Sequence, residues 1–146
     1  MRRLLGLVIV LGLLSGCHSP VPMEASGPLG DPDLAICPNP GIIVSEVSPT
    51  GLTFQLENSS DQALWFGDEY IVFVLQDGQW VNVPPITDKA VFTSGGTLQA
   101  PWSTSQAILA DWRELYGGLP SGDYMFQKVF GNGKTPCAVE HRFRLI

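Results

Sequence analysis

Two segments of the chain alternate apolar and polar residues with a period of two, which is typical of strands with one buried face. In the first, Leu52, Phe54 and Leu56 alternate with polar residues. In the second, residues 137–145, one face is formed by Cys137, Val139, His141, Phe143 and Leu145. The pattern predicts half-buried strands over 52–57 and 137–145, with Cys137 pointing inward.

A continuous apolar run over residues 70–75 predicts a central strand that is covered on both faces. Asp77-Gly78 follows it as a hairpin signal, and Pro84-Pro85 ends the returning strand because proline cannot donate to a ladder. Other short apolar segments between turn residues predict the remaining strands. These are residues 42–47, 63–66, 80–83, 90–93, 103–109 and 123–130.

One short segment favours a helix instead of a strand. Residues 111–116 predict one helical turn, with Asp111 as its N-cap and Glu114 three residues later, as in a capping box. Gly95-Gly96 predicts a turn, and a further turn is predicted at residues 131–133.

The number and spacing of these strands predict the fold class. Seven to eight short antiparallel strands within residues 37–146 are typical of an all-β, immunoglobulin-like sandwich. The segment from Leu119 to Tyr124 resembles a tyrosine corner, in which the tyrosine hydroxyl bonds to the upstream backbone. We therefore expect Tyr124 to have a structural role.

The N-terminus has the pattern of a secretion signal. Arg2 and Arg3 precede an apolar segment over residues 4–14, which is shorter than the roughly 20 residues of a membrane span. Leu14-Ser15-Gly16-Cys17 then resembles the lipobox of bacterial lipoproteins, which implies that Cys17 is acylated and becomes the new N-terminus. The alternative is an ordinary signal peptide that is cleaved elsewhere.

Acylation would make the protein an extracytoplasmic lipoprotein whose membrane contact is the acyl chains on Cys17. The site would be the outer leaflet of the cell membrane, or the outer membrane of a two-membrane bacterium. Three segments follow from this interpretation: a signal peptide at 1–16, lipidated Cys17 with a Pro/Gly-rich tether at 17–36, and the sandwich domain at 37–146.

Lipidation of Cys17 leaves Cys37 and Cys137 as a candidate disulfide in an oxidising compartment. Two separate thiols, or pairing between chains, are the alternatives. Two distant cysteines and one histidine do not make a zinc ligand set, so no metal is expected.

The charge of the mature chain limits its partners. Removal of residues 1–16, which include Arg2 and Arg3, leaves six Lys+Arg against fourteen Asp+Glu, a net charge of −8. Such an acidic surface is repelled by phosphate backbones, so nucleic acid is not an expected partner.

Two sequence blocks together resemble the bacterial Ig-like domain of small lipoproteins and envelope proteins, mostly of Firmicutes. The first block contains Gly67-Asp68-Glu69-Tyr70, Asp77-Gly78-Gln79-Trp80 and Val83-Pro84. The second contains Asp111-Trp112, Leu115-Tyr116-Gly117, Leu119, Gly122, Tyr124 and Lys128. The resemblance covers about residues 45–146. It implies a β-sandwich without established catalytic residues, and therefore a protein that is not an enzyme and has no cofactor.

Few residues are candidates for chemistry. His141 is the only histidine outside the tether, and its apolar strand face favours a hydrogen-bonded core residue over a catalytic base. Trp102 lies between Pro101 and Ser103 in an irregular segment and is expected to be exposed, where it could stack on a sugar or contact a peptide.

The leading functional hypothesis is a non-enzymatic, lipid-anchored Ig-like module that contacts another envelope or extracellular protein, or serves as a structural spacer. The alternative is an envelope glycan-binding module that uses exposed aromatic residues such as Trp102. An enzyme of unfamiliar type is the third hypothesis.

Overall fold

The computed structural model describes residues 30–89, 92, 95–131 and 135–146. Within these residues the chain forms ten strands and one short helix, α1 (Arg113–Tyr116). The strands are β1 (Gly41–Ser48), β2 (Gly51–Asn58), β3 (Leu64–Gly67), β4 (Ile71–Gln76), β5 (Gln79–Asn82), β6 (Gly96–Gln99), β7 (Ser103–Thr104), β8 (Ile108–Asp111), β9 (Gly122–Phe130) and β10 (Cys137–Leu145).

Two antiparallel sheets face each other across the core. The first sheet has the order β10-β9-β4-β5. In the second sheet β1 pairs with β2, and both β7 and β8 pair with the other edge of β2. The strands β3 and β6 form a separate two-stranded sheet at one side. This is an Ig-like β-sandwich, as predicted.

The alternating patterns placed the buried residues correctly. Leu52, Phe54 and Leu56 of β2 are buried, and so are Val72 and Phe126 of the facing sheet. The ring of Phe126 packs at 5.3 Å from that of Phe54, between ring centroids. The predicted strands over 42–47, 52–57, 63–66, 70–75, 80–83, 123–130 and 137–145 are all confirmed to within two residues at each end.

The segment between β5 and α1 differs from the prediction. Gly96, predicted in a turn, begins β6, and the strand predicted over 103–109 is broken into β7 and β8. The break occurs because the Ser105 hydroxyl accepts the Leu56 amide hydrogen, at 2.9 Å, which removes that amide from the ladder. The described strands therefore number ten, not seven to eight. The strand predicted over 90–93 and the turn over 131–133 lie largely outside the described residues.

The predicted helix cap is also wrong by one residue. Asp111 is still paired with Gly51 as the last residue of β8, so the N-cap is Trp112, and no side chain forms the capping bond. The Asp111 carboxylate instead accepts the amide of Arg113 at 3.1 Å and pairs with the guanidinium of the same residue. The capping box with Glu114 is not formed because the ladder with β2 extends into the predicted cap position.

Residues 30–36, predicted as part of the flexible tether, lie instead across the outer face of the first sheet. We call this segment the N-terminal strap. Its Ile36 forms a parallel bridge with Ala138 of β10, and the Gln127 side chain in β9 donates to the Asp31 carbonyl at 2.9 Å. Asn82 of β5 donates to the strap at the Gly30 carbonyl, at 3.4 Å. Through these hydrogen bonds the strap contacts β10, β9 and β5 of the first sheet.

The strap lies close to β4 at Gly30. Ile71, Phe73 and Met125 form a second apolar cluster on the outer face of the first sheet, with Trp80 packed against it. Phe73 is 0% exposed, and a Cβ on Gly30 would overlap its ring. Burial of these outward-facing side chains explains why the run over 70–75 is apolar without alternation.

Candidate functional site

The predicted cysteine sites have different outcomes. The disulfide between Cys37 and Cys137 is present, and it joins the residue that follows the strap to the first residue of β10. Cys17 lies outside the described residues, and its lipidation stays a prediction.

Tyr124 lies in β9 with its side chain in the core between the two sheets. Its hydroxyl donates a hydrogen bond to the carbonyl of Pro120 at 2.8 Å, which is the contact that defines a tyrosine corner. Phe143 stacks on the Tyr124 ring at a centroid distance of 5.6 Å. The residue is therefore held by structural contacts on both its polar and its apolar side.

Trp102 lies at the turn between β6 and β7 and is 71% exposed. Its φ of 51° is in the left-handed region, which a bulky side chain rarely adopts. Trp102 borders a shallow cavity of about 150 Å³. We call this cavity the Trp102 cleft; it is lined by Glu57, Asn58, Ser59, Trp102, Ser103 and Thr104.

A polar network supports the loop that carries Trp102. Its amide donates to the carbonyl of Ser60 at 3.1 Å. The buried side chain of Asn58 donates to the carbonyls of Gln62 and Ala100, at 2.8 and 3.0 Å, and its oxygen accepts the Ser60 amide at 3.2 Å. The Asn58 side chain therefore joins the turn after β2 to the turn that carries Trp102.

A second cavity, of about 250 Å³, opens between the two sheets beside β3 and β6. Its lining is mainly aromatic and aliphatic and includes Phe54, Phe66, Tyr70, Phe92 and Ile108. Polar groups enter it from Asp68, Asp111 and Lys128. We call this cavity the Lys128 crevice.

Lys128 is the main charged group of the crevice and is only 3% exposed. Its ammonium donates to the carbonyls of Gly67 and Glu69, at 2.5 and 3.0 Å, and lies 5.6 Å from the centroid of the Phe66 ring. Burial lowers the pKa of Lys128 to about 8, while the carboxylates of Glu69 and Asp68 oppose that shift. The ammonium is thus hydrogen-bonded by the protein's own carbonyls, and the nearby carboxylates favour its charged form.

The other titratable groups of the crevice are also held by internal contacts. The Tyr70 hydroxyl donates to the backbone carbonyl of Asp111 at 3.0 Å, and burial raises the pKa of this tyrosine. The Asp111 carboxylate binds Arg113, whose hydrogen bonds lower the pKa of Asp111 to about 2. The Asp111 carboxylate is therefore held in structural contacts with Arg113.

His141 lies on the inner face of β10, where the alternation predicted it. Its ring is half-buried and stacks on Phe143 at a centroid distance of 6.4 Å, and burial lowers the pKa of His141. The predicted hydrogen bond is not found among the described residues.

Neither a metal-binding group of three His, Cys, Asp or Glu residues nor a helix with the length and hydropathy of a membrane span occurs in the described part of the chain.

Sequence reasoning missed the burial of Lys128, although a signal was present. Tyr124, Phe126, Lys128 and Phe130 share the inner face of β9 by the period of two. A lysine in an apolar series on a central strand indicates a buried ammonium that requires partners. Those partners come from the segment around Gly67, which no local pattern connects to β9.

The two facing antiparallel sheets and the tyrosine corner define a protein of the immunoglobulin-like class. The family model for bacterial Ig-like domains matches residues 43–143. The chain therefore belongs to the bacterial Ig-like domain family. Comparison with curated proteins and with solved structures gave no significant match.

Proposed function

We propose that this protein is a non-enzymatic, lipid-anchored Ig-like module that works outside the cytoplasm and contacts another envelope or extracellular protein. The observation that carries the proposal is membership of the bacterial Ig-like domain family over residues 43–143. The polar groups of Lys128, Asp111 and Tyr70 are hydrogen-bonded to other groups of the protein, which supports a non-enzymatic role.

The signal-like N-terminus supports the anchor, and the disulfide agrees with an oxidising compartment. Replacement of Cys17 by alanine should leave an unprocessed precursor, whereas the neighbouring variant His18→Ala should be processed normally. Mass spectrometry of the mature wild-type chain should find a lipid-modified N-terminal cysteine. Normal processing and membrane retention of Cys17→Ala would refute the lipid anchor.

An exposed apolar pair favours contact with a protein. Trp65 of β3 and Leu98 of β6 are direct cross-strand partners, and they are 53% and 67% exposed. Aromatic residues in such positions are enriched at protein interfaces. A photo-crosslinker at Leu98 in intact cells should capture one specific protein, and Trp65→Ser should abolish that product. A crosslinker at exposed Asp77, on the β4–β5 turn, is the control position.

The enzyme hypothesis makes the opposite prediction. A hydrolytic activity of the purified mature protein that is lost on His141→Ala would overturn the non-enzymatic assignment. Glycan binding is the second candidate function, and the exposed indole of Trp102 is the observation that favours it.

A further inference from the structure

We propose that the Trp102 cleft is a binding subsite for one uncharged sugar unit of an envelope polysaccharide, with the indole as its stacking platform. The proposal names the ligand class for the glycan-binding candidate. It rests on the proposed function only because a location outside the cytoplasm gives access to such polymers.

The backbone conformation of Trp102 is the first argument. A left-handed φ is costly for any residue with a Cβ, and it persists only where the surrounding structure imposes it. At Trp102 this conformation places the largest side chain type in solvent, where burial cannot offset the cost. Residues held in this way are concentrated at ligand-binding sites.

The rigidity of the loop is the second argument. The turn that carries Trp102 is closed by the bond from the Ser103 hydroxyl to the Ala100 carbonyl, at 2.7 Å. Asn58 and Ser60 join the same turn to the end of β2. A platform that is already ordered loses little conformational entropy when a ligand stacks on it, so a weakly interacting sugar can still bind.

The chemistry of the lining indicates the ligand class. Glu57 pairs with Thr104 and Asn58 with Ser103 in the strand register. Asn58 is buried and its amide is bonded within the loop, so the exposed polar side chains of the lining are those of Glu57, Ser59 and Thr104. Apart from the indole, every lining side chain is polar. A pyranose fits this arrangement because its C–H face stacks on an aromatic ring and its hydroxyls hydrogen-bond at the rim.

The lining argues against two other ligand classes. It contains Glu57 but neither lysine nor arginine, so a phosphate or carboxylate group on the ligand would be repelled. It offers no apolar pocket for a peptide side chain or an acyl chain beyond the indole face. The cleft, of about 150 Å³, has a single aromatic residue in its lining, so it offers one stacking position for one sugar unit.

The test uses the purified mature protein in detergent, with chitohexaose, cellohexaose and maltohexaose as neutral probes. At least one probe should quench tryptophan fluorescence saturably, and Trp102→Ala should weaken its binding at least tenfold. Trp65→Ala is the matched control, since Trp65 is exposed but lies outside the cleft, and it should bind as the wild type does. Trp102→Phe should retain part of the affinity because it keeps an aromatic face.

A further variant separates binding from folding. Trp102→Asn places a residue that tolerates the left-handed region at this position, so its thermal unfolding should match or exceed that of the wild type while sugar binding is lost. Absence of a saturable response to all three probes, or equal binding by Trp102→Ala, would overturn the proposal. Such a failure would leave the lipidation and crosslinking results unchanged, because neither measurement involves a sugar.

Discussion

Replacement of Lys128 by methionine should remove a specific pH dependence from the stability of this domain. Lys128 is almost fully buried, and burial lowers its pKa from 10.5 to about 8, with the carboxylates of Glu69 and Asp68 opposing the shift. In the unfolded chain the same side chain is in water and has its ordinary pKa of about 10.4. The folded and unfolded states therefore bind different numbers of protons in alkaline solution.

The direction of the effect follows from proton linkage. Between pH 8 and 10.5 the unfolded chain keeps a proton on Lys128 that the folded protein has released. Stability rises with pH wherever the unfolded state binds more protons, so the free energy of unfolding should increase across this window. One pKa unit corresponds to about 1.4 kcal/mol, and integration from about pH 7 to 9.5 gives a gain of about 2 kcal/mol.

Above about pH 10 the buried tyrosines act in the opposite direction. Burial raises the pKa values of Tyr70, Tyr116 and Tyr124, so these hydroxyls stay protonated in the folded protein after the unfolded chain has lost its protons. Stability then falls as the pH rises further. The contribution of Lys128 is therefore best isolated below the range in which tyrosine titrates.

Urea unfolding followed by tryptophan fluorescence, at several pH values from about 7 to 9.5, measures this contribution. The wild type should gain about 2 kcal/mol more over the range than Lys128→Met does, since the tyrosines act equally on both proteins. Lys89→Met is the matched control, since Lys89 is exposed, and it should keep the wild-type slope. Parallel pH profiles for the wild type and Lys128→Met would refute the assignment of a buried, cationic Lys128.

Two further predictions concern the strap. The double variant Cys37→Ala/Cys137→Ala should lose about 2–5 kcal/mol in the free energy of unfolding, because the cross-link closes a loop of 100 residues. Reductant should lower the free energy of unfolding of the wild type by the same amount and leave that of the variant unchanged. Gly30→Val should displace the strap from the Phe73 ring and speed amide hydrogen exchange in residues 30–36, whereas Gly118→Val, with open space around its Cβ, should not. Unchanged exchange in Gly30→Val would contradict the packing described for the strap.

The strands were largely predictable because a period of two is a local property of the chain. β2 and β10 were predicted from the alternation of their own residues, and β4 from an unbroken apolar run. The hairpin between β4 and β5 was predicted from Asp77-Gly78, and both residues have positive φ. Tyr124 and Trp102 were singled out from neighbouring residues alone.

The errors arose where one segment depends on a distant one. The strand over 103–109 was broken by a bond between Ser105 and Leu56, which are far apart in the sequence. The Asp111 cap was displaced because pairing with Gly51 continues to the end of β8. Neither partner is visible in the local pattern.

The sequence by itself determined the all-β class and most of the strands, because alternation is a local property of the chain; it left Cys37 and Cys137 as a candidate pair, which the structure joins. The tertiary structure decided that the Pro/Gly-rich residues 30–36 lie on the first sheet, and that Lys128 is buried among carbonyls. It also placed Trp102 beside Glu57 and Thr104 in one cleft. The physical reason is that strand pairing and face-to-face packing bring together groups whose separation along the chain carries no information about their contact.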